Sequence, residues 1–154
     1  MKSKHAEPGP RYDALVKLLQ ATEALWNASR VFFARWNLSP SQFNVLNLLI
    51  DAPHGLTQVE LSRHLVTHRS NVTGLVDRLE QRGLLKRRED SADRRAYRVI
   101  LTDAGQGLLR EIRPVYYRAA EQVWGNSPVT HANQLARDLA DICNRAQRVA
   151  KDNQ

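Results

Sequence analysis

Apolar side chains recur along this chain with two different periods, and each change of period marks a new element. From Tyr12 to Trp36 the positions Leu15, Leu18, Leu19, Leu25, Trp26, Phe33 and Trp36 return with a helical period over about seven turns, which predicts a long first helix. Ser39-Pro40 supplies a capping residue ahead of a first-turn proline, and Phe43, Leu46, Leu49 and Ile50 form the stripe of a second helix that ends before Ala52-Pro53-His54-Gly55. In Thr57-Gln58-Val59-Glu60 a Thr hydroxyl can cap a helix while the Glu three residues on reaches back, so a third helix starts at Thr57 and carries Leu61 and Leu65. After a predicted break at Val66-Thr67, Val72, Leu75, Val76 and Leu79 take the i, i+3, i+4, i+7 spacing of a half-buried helix, which Gly83 closes. Leu84 to Arg88 and Ala96 to Leu101 then read as two strands, joined by the polar loop Glu89 to Arg95. Thr102 caps a helix bearing Leu108, Ile112, Val115, Ala119 and Val123 near heptad spacing, with Pro114 inside it as an expected kink. Beyond Gly125-Asn126-Ser127-Pro128, Leu135, Leu139, Ile142, Ala146 and Val149 form a second such seam. Residues 1–10 have no apolar face and are expected to be an unstructured arm.

Two short helices followed by a basic hairpin make a winged helix-turn-helix. The expected fold is therefore mainly α, with a two-stranded β-wing, within a single domain spanning 1–154. The chain has 154 residues and one cysteine, which excludes an intrachain disulfide framework. No apolar run is long enough to span a membrane and no signal peptide is visible, so a soluble, cytoplasmic protein without a membrane partner is expected. The net charge of +7 points to an anionic partner, and residues 63–98 hold ten Lys/Arg against five acids, so most of that excess coincides with the helix-turn-helix and its wing. No nucleophile-base constellation, phosphate loop or metal cluster is visible, and an enzyme is not expected.

With Val72, Leu75, Val76 and Leu79 turned to the core, the residues left for a major groove are His68, Arg69, Ser70, Asn71, Thr73, Gly74 and Arg78. Asn suits an adenine edge, Arg a guanine or phosphate, and Ser or Thr either. Thr57 and Gln58 open a helix whose positive end suits a phosphate, although a purely capping role explains Thr57 equally well. At the hairpin tip, Arg95 fits a minor-groove probe, while Arg94, Lys86, Arg87 and Arg88 fit phosphate contacts. Double-stranded DNA is thus the expected partner; a winged helix serving as a protein-interaction module is the alternative, and it would not need this groove face together with a basic wing. The long first helix and the two seam-bearing last helices can pack on one another or on a second copy. A two-fold dimer that reads two half-sites about 34–36 Å apart favours the second copy.

The run Leu75-Val76-Asp77-Arg78-Leu79-Glu80-Gln81-Arg82-Gly83-Leu84-Leu85-Lys86-Arg87, followed by Asp93-Arg94-Arg95, Val99-Ile100-Leu101-Thr102 and Gly105, resembles the MarR (multiple antibiotic resistance regulator) family of bacterial transcription regulators. The close resemblance covers roughly residues 56–105. It implies a homodimeric regulator, most often a repressor of a pseudo-palindromic operator, with residues 40–101 as the DNA-binding lobe and 11–36 and 102–150 as dimerisation helices. By the same resemblance, Asp93 would orient Arg95 or an arginine of the recognition helix.

Three further features have competing readings. His64 and His68 stand i, i+4, as metal ligands on a helix would, but the expected break falls between them, so no metal and no cofactor is expected. Cys143 beside Ile142 on the last seam reads as a buried structural thiol. Trp26, Phe33, Trp36, Phe43 and His54 converge where the first helix approaches the DNA-binding lobe. Core packing is one reading; the other, implied by the resemblance, is a pocket formed by Trp26, Phe33, Trp36 and His54 for a small phenolic or anionic ligand that releases the protein from DNA.

Overall fold

A computed structural model describes residues 8–65, 72–90 and 97–152. The elements follow in the order α1 (Pro10–Ala34), α2 (Pro40–Ile50), β1 (Leu56–Thr57), α3 (Gln58–His64), α4 (Val72–Gln81), β2 (Leu85–Glu89), β3 (Tyr97–Leu101), α5 (Asp103–Trp124) and α6 (Val129–Asp152). The chain divides into two units, residues 1–109 and 110–154. The expected arm at residues 1–10 falls largely on residues outside those described, as does the break at Val66-Thr67.

In the first unit, α2 is the central element. It packs on α1, α3, α4 and β3, and buries Phe43, Val45, Leu46 and Leu49. Its start is fixed locally: the Ser39 hydroxyl accepts from Gln42 N–H at 3.2 Å while the Gln42 amide oxygen accepts from Ser39 N–H at 2.8 Å, so two donors left open by the helix start are satisfied. At the end of α1, Phe33 is buried and stacks on Phe43 with ring centroids 4.3 Å apart, which ties the long helix to the core through its last turn. Leu61 of α3, the stripe Val72, Leu75, Val76 and Leu79 of α4, and Leu85 and Val99 of the sheet complete that core.

The turn out of α4 follows from Gly83, whose φ of +67° disfavours a side chain. Gly83 N–H donates to Glu80 carbonyl at 2.8 Å and Leu84 N–H to Leu79 carbonyl at 3.0 Å, the paired bonds of a Schellman cap. Thr102 then joins the two ends of the wing: its hydroxyl donates to Gly83 carbonyl at 2.6 Å and accepts from Gly105 N–H at 3.1 Å, capping α5 as expected.

The sheet departs from expectation. The hairpin β2–β3 is present, with Leu85 opposite Leu101 and Glu89 opposite Tyr97, but a third strand, β1, lies on the other side of β3, with Leu56 opposite Val99 and Thr57 opposite Arg98. All pairs are antiparallel. Two residues are too few to show alternation, so β1 is invisible in the hydropathy pattern. Gly55 makes the pairing feasible: its φ is +77°, and a Cβ there would stand 2.4 Å from Ile100 Cγ2 and 2.5 Å from Val99 carbonyl oxygen.

In the second unit, α5 continues helical through Pro114, and α6 runs 24 residues without burying one of them. Leu135 and Val149 of its seam are 44% and 60% exposed. Cys143 is exposed too, contrary to the buried thiol expected, because in the single chain nothing covers the face it shares with Ile142.

Candidate nucleic-acid interface

Recognition chemistry on a helix requires one face held and the other free. On α4 the held face is complete: none of Val72, Leu75, Val76 and Leu79 is more than 3% exposed. Thr73 and Arg78 lie on the open face. The Thr73 hydroxyl donates to the Gln58 side-chain oxygen at 2.8 Å, so the structure brings together two of the sequence-predicted site residues and links the first turns of α3 and α4.

Thr57 is a cap. Its hydroxyl accepts from Glu60 N–H at 3.2 Å and its own N–H donates to the Glu60 carboxylate at 2.7 Å, forming the capping box read from the sequence. The Thr57 backbone bond, then its hydroxyl, hold the Glu60 carboxyl below the usual carboxylate range; burial opposes them, and the charges of Arg98 and Arg63 assist.

The basic residues fall into two groups. Arg78, Lys86 and Arg88 are exposed, and Arg88 has one long contact, 3.5 Å, to His54 carbonyl. Arg87 and Arg98 are instead half-buried and turned to the protein, and Arg82, although exposed, is hydrogen-bonded to it. Arg82 donates to Asn37 carbonyl at 2.6 Å and Trp36 carbonyl at 3.1 Å, fastening the end of α4 to the α1–α2 turn. Arg87 pairs with Asp77 at 2.5 Å and with Glu80, and Glu80 also accepts Arg87 N–H at 2.9 Å. Burial works against the Arg87 cation, but the hydrogen bonds and charges of the two carboxylates outweigh it and raise its pKa above the ordinary value. Arg98 holds the buried Asp90 at 2.7 Å and donates to Gly55 carbonyl at 3.0 Å, with Glu60 at 3.7 Å. Of these three, Arg87 was expected at a phosphate. The alternation along β2 carried the signal, since Arg87 shares a strand face with buried Leu85 whereas Lys86 and Arg88 take the other.

His68, Arg69, Ser70 and Asn71, and Asp93, Arg94 and Arg95 of the wing tip, lie outside the described residues. So does one partner of the His64–His68 pair; among the described residues no group of three or more His, Cys, Asp or Glu is placed to hold a metal.

The aromatic set converges only in part. Phe33 and Trp36 meet through Phe32, at 5.0 and 5.5 Å between centroids, and the Arg35 guanidinium lies over Phe32 and Trp36 at 4.3 and 4.4 Å. Phe32 and Arg35 were not anticipated. Trp26 is half-buried further back on α1, and His54 is exposed in the turn before β1. A cavity of about 310 Å³ is lined by Arg30 and Ala34 of α1, Asn37 and Leu38 of the turn, and Ser39, Pro40 and Gln42 at the start of α2, and none of Trp26, Phe33, Trp36 and His54 is in that lining.

Residues 36–96 match the model of the MarR family. The HTH-type transcriptional regulator FarR of Neisseria gonorrhoeae is 32% identical over 145 residues, covering 92% of this chain and 94% of that protein. The chain belongs to the MarR family. The transcriptional repressor MprA of Escherichia coli (strain K12) is 33% identical over 99 residues, 64% of this chain, which spans only 56% of MprA. Among solved structures, the MarR/EmrR family transcriptional regulator from Acinetobacter sp. ADP1 superposes with a TM-score of 0.79 at 17% identity, covering 92% of this chain and 99% of that one, and the transcriptional repressor CouR bound to a 23-mer DNA duplex with 0.74 at 29% identity, covering 88% and 92%. CouR from Rhodococcus jostii RHA1 bound to p-coumaroyl-CoA gives 0.75 at 27% identity, covering 84% and 92%. The fold is thus the winged helix-turn-helix of the MarR regulators, mainly helical with a small antiparallel sheet. No described helix is long and apolar enough to cross a membrane.

Proposed function

We propose that this MarR-family chain is a cytoplasmic, sequence-specific transcription repressor, not an enzyme, that binds a pseudo-palindromic DNA operator as a homodimer and is released by a small phenolic or anionic ligand. The observation that carries the reading is α4, whose apolar face is fully buried while its other face exposes Arg78 and Thr73, the latter hydrogen-bonded to Gln58; the wing cations Lys86 and Arg88 are exposed as well. Gln58, Thr73, Arg78, Arg88 and the residues His68, Arg69, Ser70, Asn71, Asp93, Arg94 and Arg95 form the DNA-contacting set, with α4 in the major groove and the wing along the backbone and minor groove. Thr57 serves this set indirectly, by capping α3. Residues 40–101 are the reading lobe. The segments 11–36 and 102–150 pair two copies, a role supported by the exposed apolar positions Leu15, Leu19 and Leu135. The DNA and p-coumaroyl-CoA complexes of CouR support the DNA and ligand partners.

Selection of bound fragments from genomic DNA, followed by titration against the recovered duplex, tests the reading. If the dimer makes six or more phosphate contacts, affinity falls by a factor on the order of 10³ or more between 50 and 200 mM salt. A salt-independent complex, or failure to bind any duplex, removes the proposal.

A further inference from the structure

A recognition helix and a wing can read one stretch of duplex only if their separation is fixed, because a displacement of either takes it out of its groove. In this chain α4 and β2 are joined by the Gly83 turn and by a side-chain strap. Asp77 and Glu80 stand i, i+3 on α4, so one guanidinium fork can reach both. Arg87, on the inward face of β2, makes that bridge at 2.5 Å to Asp77, and it also engages Glu80. The same Glu80 carboxylate accepts Arg87 N–H at 2.9 Å, which fixes the strand backbone as well as the side chain. Arg87 is 24% exposed, less than either carboxylate, whereas its neighbours Lys86 and Arg88 are open to solvent.

We propose that Arg87 is a positioning residue that locks the wing onto the recognition helix through Asp77 and Glu80, and that its charge is not available to a phosphate. The proposal rests on the DNA-binding reading above, and it reverses the sign of a simple electrostatic expectation. Replacing the two carboxylates raises the net charge of each chain by two, which for a non-specific basic surface tightens DNA binding and for a phosphate-seeking Arg87 frees the cation. A strap predicts the opposite.

The experiment titrates the full-length chain against the duplex recovered by genomic selection, across a salt series, for the parent, D77N/E80Q, R87M and R88M, at a temperature where circular dichroism shows each variant folded. In E80Q the amide oxygen still accepts Arg87 N–H, so the turn is retained and the double variant tests the strap even if R87M does not fold. The expected result is that D77N/E80Q and R87M bind at least tenfold more weakly than the parent at every salt concentration with the salt slope unchanged. R88M instead makes the slope shallower by about 1 for each phosphate it no longer neutralises, about 2 for a two-fold dimer. Tighter or equal binding by D77N/E80Q, or a slope for R87M as shallow as that of R88M, overturns the strap and leaves the DNA reading standing. A parent that binds no duplex removes the DNA reading itself.

Discussion

Helices α4 and α6 are both amphipathic, and they meet opposite fates in the single chain. α4 has ten residues and buries its entire apolar stripe against neighbours within its own unit; α6 has 24 residues with a seam at Leu135, Leu139, Ile142 and Val149, and buries none of them. A hydrophobic period states that a face will be covered, but not by what. For α4 the cover is α2, α3 and β2, which are close to it in sequence. For α6 no such neighbour follows in the chain, and a second copy is the cover proposed above.

The sharpest way to break this comparison is a carboxylate on the seam. Ile142→Asp is expected to leave helical content unchanged, because Ile142 is 36% exposed in the single chain, while costing the dimer several kcal/mol by desolvation. Sedimentation shows a dimeric parent and a monomeric variant at micromolar concentration. A compact monomeric parent, or a variant that loses its circular dichroism, places the cover of α6 within one subunit instead.

Leu79→Ala is the matching test on α4. The side chain is fully buried, so truncation is expected to cost about 2–5 kcal/mol in urea unfolding while the helices that pair two copies stay intact. A cost below about 1 kcal/mol means that the α4 stripe does not anchor the lobe.

What was legible in the sequence were the features settled by a few adjacent residues. Ser39, Thr57 and Thr102 satisfy helix starts through bonds to residues three along, and Gly83 ends α4 through its own φ, so each could be placed from the chain alone. The wing hairpin was visible as two short strand-like runs on either side of a polar loop. Strand β1 was not, since its pairing depends on β3 some forty residues away and on Gly55 letting the backbones meet. Arg87 was placed at a phosphate for the same reason. Arg82, Arg87 and Arg98 are chemically indistinguishable from Arg78 and Arg88 in a sequence, and only the approach of Asn37, Asp77, Glu80 and Asp90 ties them to the protein. Cys143 was expected to be buried on the last seam, and in the single chain it is exposed because that seam has no cover there.

The smallest expected effect tests whether the α3 cap is electrostatic as well as geometric. Thr57 N–H and hydroxyl hold the Glu60 carboxylate below its ordinary pKa, aided by Arg98 and Arg63 against burial. Because the folded value is depressed relative to the unfolded one, the associated stability is fully present above the ordinary carboxylate pKa and disappears as the pH falls through the folded value. Glu60→Gln keeps an oxygen that can accept Thr57 N–H but removes the charge from the first turn of α3, at an expected cost of about 0.3–1 kcal/mol at pH 7. In a chain of this length that is about 1–4 °C in Tm. Thermal unfolding at pH 7 and again near pH 3 separates charge from shape: the gap between parent and variant should narrow on acidification, as the parent protonates the carboxyl that the variant lacks. An undiminished gap at low pH means that the Thr57–Glu60 box acts through hydrogen-bond geometry alone.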